Sequence, residues 1–246
     1  MSEGIGNIFL QETKYYRDRM TGQRMQPTAR PDMYKRYPDA QIVELPPAVS
    51  HGGAPLWDAV AKRRSVRHYT DQPITRAELS QLLWACQGLT GTRSGHAVRS
   101  APSAGALYPI ETYVVVNLSP GEDLAPGLYH YEVEAHRLNV LRSADLRRQA
   151  AAAALDQPMV AEASVVFIWT AVFERARWKY AERAYRYVCL DAGHVAAHVL
   201  LAAVAIGLAS CQIAALYDDE VNALVGADGE SESVLYMTSV GQPARR

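Results

Sequence analysis

Residues 163–207 read ASVVFIWTAVFERARWKYAERAYRYVCLDAGHVAAHVLLAAVAIG. Their first eleven residues, Ala163 to Phe173, are almost wholly apolar and rich in Val, Ile, Trp and Phe. That is the pattern of a strand buried on both faces. From Glu174 to Ile206 the composition turns helical, and the small, polar run Asp191-Ala192-Gly193 suggests a break or bend there. The second half of this helical stretch is apolar nearly all round, as in a helix held between layers or between two copies of the chain. Gly207 ends it. A doubly buried strand followed by a central helix needs other strands beside it and helices on both faces.

The flanking sequence supplies them. Upstream, Leu56 to Lys62 has the look of a short helix. Thr75 opens a longer one, with Glu78 three residues on and Leu79, Leu82 and Leu83 on one face, a capping box before an apolar stripe. Gly88 and Gly91 close it. Residues 92–109 look like a loop of small residues. Ile110 to Asn117 is a strand, and Leu128 to Glu132 with Arg137 to Leu141 form a hairpin. A helix is expected from Ser143 to about Leu155. Downstream, Ser210 to Leu216 and Val234 to Val240 are strands on either side of a helix, Asp218 to Leu224. Residues 1–55 are polar and rich in Arg, Tyr and Pro; they read as an extended N-terminal arm, with residues 56–246 forming one domain. The arrangement is α+β, with strands and helices mixed rather than regularly alternating.

Composition removes several functions. The 246 residues carry 25 Lys and Arg against 26 Asp and Glu, so a bulk field for nucleic acid is not expected. The longest apolar stretch, Val195 to Leu208, is interrupted by His198 and too short to span a bilayer. The N-terminus shows no basic segment followed by an apolar block. Cys86, Cys189 and Cys211 are odd in number and far apart, which fits buried thiols in a reducing cytoplasm rather than a disulfide framework. GxxxxGK[ST], GxSxG and a full GxGxxG are absent. His194 and His198 share a helix face, but HVAAH lacks the glutamate of HExxH; interior histidines are expected and no metal site.

Three constellations could carry chemistry. Arg63-Arg64-Ser65-Val66-Arg67 packs three guanidiniums and a hydroxyl into five residues, donors suited to a phosphate, although such a run can also be a solvated patch. Ala101-Pro102-Ser103-Ala104-Gly105-Ala106 is small enough for backbone to approach a flat ligand, or simply a tight loop. Lys179-Tyr180 sets an amine beside a phenol, a pair able to exchange protons, or a polar helix face with aromatic anchors.

Taken in order, these pieces resemble the nitroreductase family of flavoproteins, and most nearly its SagB-type branch, dehydrogenases that oxidise azoline rings in ribosomal peptide natural products. The resemblance runs from about Phe9 to Pro243. It is carried by FLQETK and PDMYKRYPDAQIVELP in the arm, by RRSVRHYTDQPITRAELSQLLWACQGLTG, by APSAGALYPIETYVVV, by YRYVCLDAGHVAAHVLLAAVAIGLASCQIAAL and by LYMTSVGQP. It implies a nitroreductase-like fold, a mixed, mostly antiparallel sheet flanked by helices and dimerised through long central helices, with one FMN at each interface.

By this resemblance Arg63, Arg64, Ser65 and Arg67 hold the phosphate and the polar edge of the flavin. Pro102, Ser103 and Ala104 pack on it from the other subunit. Gln212, Ile213, Ala214 and Ala215 lie beside the ring, and Arg245 reaches the phosphate. Many members carry a Glu-Gly pair where this chain has Ala214-Ala215, which argues against simple nitroreductase behaviour. Lys179-Tyr180 matches a pair implicated in catalysis by the azoline dehydrogenases. The expected protein is a cytoplasmic, homodimeric FMN oxidoreductase acting on a small-molecule or peptide-derived substrate, with biosynthetic partner proteins and without nucleic acid or membrane. An NAD(P)H-dependent nitro- or quinone reductase, and a non-catalytic flavin-binding scaffold, are the alternatives.

Overall fold

Two strands at the middle of the chain, β4 (Ile110–Val116) and β7 (Val165–Val172), pair antiparallel in a continuous register from Ile110 opposite Ala171 to Val116 opposite Val165. The computed structural model describes residues 4–18, 30–93, 95–119, 121 and 124–244. Among them, β4 and β7 are the centre of a seven-stranded antiparallel sheet. Its order is β1 (Gln41–Glu44), β6 (Arg137–Ser143), β5 (Gly127–Glu132), β4, β7, β9 (Glu232–Gly241), β8 (Ala209–Ile213).

Side chains alternate across this sheet. Ile110, Val114, Val165, Phe167 and Trp169 enter one core, while Tyr113, Val115, Val166 and Ile168 enter the other. Both cores are closed by helices, which is why these strands read as unbroken apolar runs. The first is covered by α3 (Arg76–Gln87) and α7 (Ala184–Ala205), the second by α4 (Arg147–Ala153), α5 (Pro158–Glu162) and α8 (Asp218–Val225). α3 begins with the expected capping box: the Glu78 N–H donates to Thr75 Oγ1 at 3.1 Å and the Thr75 N–H to Glu78 Oε2 at 2.6 Å.

Several expectations need correction. The arm is not simply extended: it contains α1 (Ile5–Glu12), and β1 joins the sheet edge against β6. The expected loop at 92–109 instead begins with a separate hairpin, β2 (Leu89–Arg93) paired with β3 (His96–Arg99). α4 begins only at Arg147, because β6 continues to Ser143, and α5 follows it.

The break in the central helical stretch lies ten residues before the expected place. α6 (Phe173–Tyr180) ends at Ala181, which takes φ 46° and ψ −134°, and a 3-10 turn leads into α7. α7 then passes through Asp191-Ala192-Gly193 without interruption. Gly193 costs helix propensity of about 1 kcal/mol, but nine buried side chains hold α7 against its neighbours. The whole run Phe173–Ala205 is long and apolar enough by composition to cross a bilayer. Here it is the core helix, packed on α3 and the sheet.

Candidate functional site

α7 organises the residues singled out in the sequence, and it sorts them to its two ends. Beside its first two turns lie Lys179, Tyr180 and the loop 102–105. Asp191 is buried and draws that loop in: Ser103 Oγ donates to Asp191 Oδ2 at 2.6 Å, and the Ala104 N–H donates to Oδ1 at 3.2 Å. Ser103 Oγ also accepts the Tyr108 N–H at 2.9 Å, so its hydroxyl is committed to shaping the loop. Burial pushes the Asp191 carboxyl above the ordinary aspartate range, against the two loop donors and the nearby His194.

The loop brings Gly105 against the catalytic candidates. A Cβ added to Gly105 would lie 2.5 Å from Tyr180 Oη and 2.9 Å from Lys179 Nζ. Both polar heads therefore converge on one backbone position, and Lys179 Nζ lies 5.4 Å from the Tyr180 ring centre. Left-handed backbone gathers here as well: Gly105 at φ 63°, Ala106 at 53°, Tyr108 at 45° and Ala181 at 46°. Such conformations cost non-glycine residues of order 1–3 kcal/mol and cluster where function requires them.

This end is braced from below. Arg175, one turn before Lys179 on α6, is buried and pairs with the buried Glu111 at 2.5 Å. His130 Nε2 lies 2.8 Å from the other carboxylate oxygen. Burial alone would raise the Glu111 pKa, but His130 and Arg175 outweigh it and hold the carboxyl down at about 2. The Arg175 Nε–H donates to the Asp32 carbonyl at 2.7 Å, and Arg99 donates to the Met33 carbonyl at 3.2 Å. Lys35 pairs with Glu232 at 2.5 Å. Residues 32–35 of the arm are thus pinned across this end of the domain. None of these bracing residues was singled out in the sequence, because most of their partners are 60 or more positions away, and even His130 and Glu111, 19 apart, have no local spacing to mark them.

The other constellation lies at the far end of α7. After α2 (Leu56–Lys62), the segment Arg63–Arg67 runs along the edge of β8: Ser65 bridges Ser210, and the Val66 N–H donates to the Ser210 carbonyl at 3.0 Å. The same strand carries Gln212 and Ile213 and leads to the exposed Ala214 and Ala215. Gln212 Oε1 accepts Tyr236 Oη–H at 2.8 Å. A hollow of about 230 Å³ opens here, lined by Arg64, Ser210, Val204 and Gly207 among others. Asp191 and Val204 are thirteen residues apart on α7, about 20 Å along its axis at 1.5 Å per residue. Arg245 lies outside the described residues.

Of the remaining expectations, Cys86 and Cys211 are buried but Cys189 is exposed on α7. His198 Nδ1 lies 3.0 Å from the Ala85 carbonyl oxygen, whereas His194 is exposed rather than interior. Both exceptions lie on the outward face of α7.

The arginine end fits the phosphate of a flavin nucleotide by its donor set. Among the described residues Arg63, Arg64 and Arg67 pair with no carboxylate, and Arg64 turns instead to the carbonyls of Ala61 and Arg63. Ser210 Oγ is buried in the same place without a hydrogen-bond partner. Unpaired guanidiniums beside an unsatisfied hydroxyl suit a bound dianion.

Comparison with known proteins identifies the family to which the fold belongs. Residues 60–242 match the Nitroreductase family. The chain belongs to the nitroreductase family. It is 39% identical over 170 residues to MJ1384 of Methanocaldococcus jannaschii, a protein named for the same family, covering 69% of this chain and 83% of that one. It is 34% identical over 147 residues to the trifolitoxin-processing protein TfxB of Rhizobium leguminosarum bv. trifolii, covering 57% of this chain and 38% of TfxB. A solved nitroreductase-type structure from Anabaena variabilis superposes with a TM-score of 0.79 at 28% identity, covering 97% of this chain and 46% of that chain. The chain thus spans less than half the length of TfxB and of the Anabaena protein.

Proposed function

We propose that two copies of this chain bind FMN between them and oxidise a C–N or C–C bond in a small or peptide-derived heterocycle. The observation that carries this reading is the separation of the two half-sites along α7. The arginines and Lys179 sit toward opposite ends of about 20 Å of α7, and in this reading the second copy completes each site. The outward surface supports such pairing. Leu190 on α7 is 60% exposed and Trp57 on α2 is 78% exposed, with Leu56 and Val60 beside it. Apolar faces on adjacent helices are commonly covered by a partner.

In such a dimer, Arg63, Arg64, Ser65 and Arg67 would hold the phosphate, Gln212 to Ala215 would flank the ring, and Pro102 to Ala104 would pack on it from the other copy. FMN, when bound, would supply the hydride acceptor, with dioxygen or another oxidant taking up the electrons. The protein's task is the proton that leaves with that hydride. Lys179 Nζ and Tyr180 Oη, held together over Gly105, receive and relay it. The substrate side is supported by the likeness to TfxB, whose name assigns it to trifolitoxin processing, and a peptide substrate would be presented by partner proteins in the cytoplasm.

Lys179→Ala tests the proton role. It should leave flavin bound and lower turnover by about 10²- to 10⁴-fold, the range for a lost general base. Unchanged turnover rejects the assignment. The nitro- or quinone-reductase reading is favoured by the name of MJ1384; rapid bleaching of bound flavin by NADH or NADPH in stopped flow would support that reading over ours.

A further inference from the structure

Next to Lys179 is a hollow of about 300 Å³ that the flavin half-sites do not account for. It lies between the β2–β3 hairpin, the arm at residues 30–33, the turn at 105–107 and α6. Its volume is at the lower end of small-molecule sites. The lining is one-sided in charge. Arg30, Arg93 and Lys179 border it together with the His96 imidazole, and among the described residues no carboxylate does. Among the described residues none of these four forms an ion pair.

The acids nearby are committed elsewhere. Asp32 Oδ1 accepts the Tyr34 N–H at 3.0 Å. Glu174 and Glu182 hold Arg177 at 3.4 and 3.6 Å. Glu111 is taken by Arg175 and His130. The rest of the wall is apolar, with Met33, Leu107 and the Trp178 ring, over which the Arg30 guanidinium lies at 6.0 Å.

We propose that this hollow binds the carboxylate of the substrate, held by Arg93 and His96, with an uncharged ring lodged against Trp178 beside Lys179. The substrate class is therefore a heterocycle carrying a free acid, either a small molecule or a chain-terminal residue, rather than a ring flanked by amides on both sides. Cations gathered without counter-charges create a site for an anion, and the apolar wall suits the body of a ring. The proposal rests on the preceding reading for the role of Lys179 and adds what the substrate must carry.

The test uses the FMN-loaded protein under anaerobic conditions. Binding of 2-phenyl-4,5-dihydrothiazole-4-carboxylate and of its carboxamide is measured by titration calorimetry, for the native chain and for an R93Q/H96Q double variant. Both substituted residues are exposed, and neither belongs to the proton-transfer pair. The native protein should bind the acid about tenfold or more tightly than the amide, since charge-assisted bonds replace neutral ones. In the variant this preference should collapse while amide affinity stays unchanged. Equal affinities in the native protein, no binding of either probe, or a preference that survives in the variant would overturn the proposal. So would a parallel loss of NADPH affinity in the variant, which would give the cations to a nucleotide phosphate. Acid-selective binding without subsequent oxidation in air would uphold this proposal while refuting the dehydrogenase reading.

Discussion

The two ends of α7 differ in how far their carboxylates and arginines already hold each other or the backbone. At the first end, Asp191 holds Ser103 and Ala104, Glu111 holds Arg175 and His130, and the arm is tied down by Arg99, Arg175 and Lys35. At the far end, among the described residues, Arg63, Arg64 and Arg67 have no carboxylate and Ser210 Oγ has no partner. The first end is a prearranged support for two side chains. The second is a largely exposed set of donors, without a carboxylate partner among the described residues, that stands available to an anion. The contrast teaches that the chain prepares its proton-handling groups internally and leaves its phosphate-binding groups to the ligand.

The contrast can be broken most severely at Glu111. Glu111→Gln leaves Arg175 buried without its counter-charge, which typically costs about 3–5 kcal/mol; urea unfolding measures it. The pH dependence has a definite sign. Glu111 is held at about 2, below its ordinary 4.5. Its contribution is fully present above about pH 4.5 and is lost as pH falls toward 2. The Gln variant should show a flatter loss of stability across that window. Equal unfolding midpoints for both proteins at pH 7 would show that the first end is not braced by this pair.

A smaller effect is expected at Gly105. Gly105→Ala places a methyl against Tyr180 Oη and Lys179 Nζ, in a backbone region that alanine enters at a cost of about 1–2 kcal/mol. Stability should fall by that amount, and turnover should fall further than flavin affinity, because the displaced groups belong to the proton-handling end. Equal losses in the two would mean that the ends are not independent.

What the sequence made legible follows from the range of each interaction. Thr75 and Glu78 are three residues apart and satisfy each other, so that helix start was readable in full. β4 and β7 were readable because burial on both faces leaves an unbroken apolar run. The β2–β3 hairpin was not, because four of the five residues of β2 are exposed and no alternation marks it. β1 buries only Val43, too little to register as a strand. The break at Ala181 was misplaced to Asp191 because local composition favours a bend at Asp-Ala-Gly. Asp191 in fact spends its carboxylate on a loop 88 residues away. Likewise the motifs named the candidate residues in order, but not the helix length that sets them apart.

That separation is tested most directly by mixing defective chains. Arg63→Ala/Arg67→Ala and Lys179→Ala proteins are each prepared alone, where the first should lose FMN and the second should keep it but turn over poorly. They are then unfolded, mixed and refolded together. If the site is shared, each mixed dimer carries one site with both halves intact, and flavin-dependent turnover should reappear to a substantial fraction of the native value. If the mixture stays as inactive as its parents while forming mixed dimers, the two ends of α7 serve sites within single chains, and the account is contradicted.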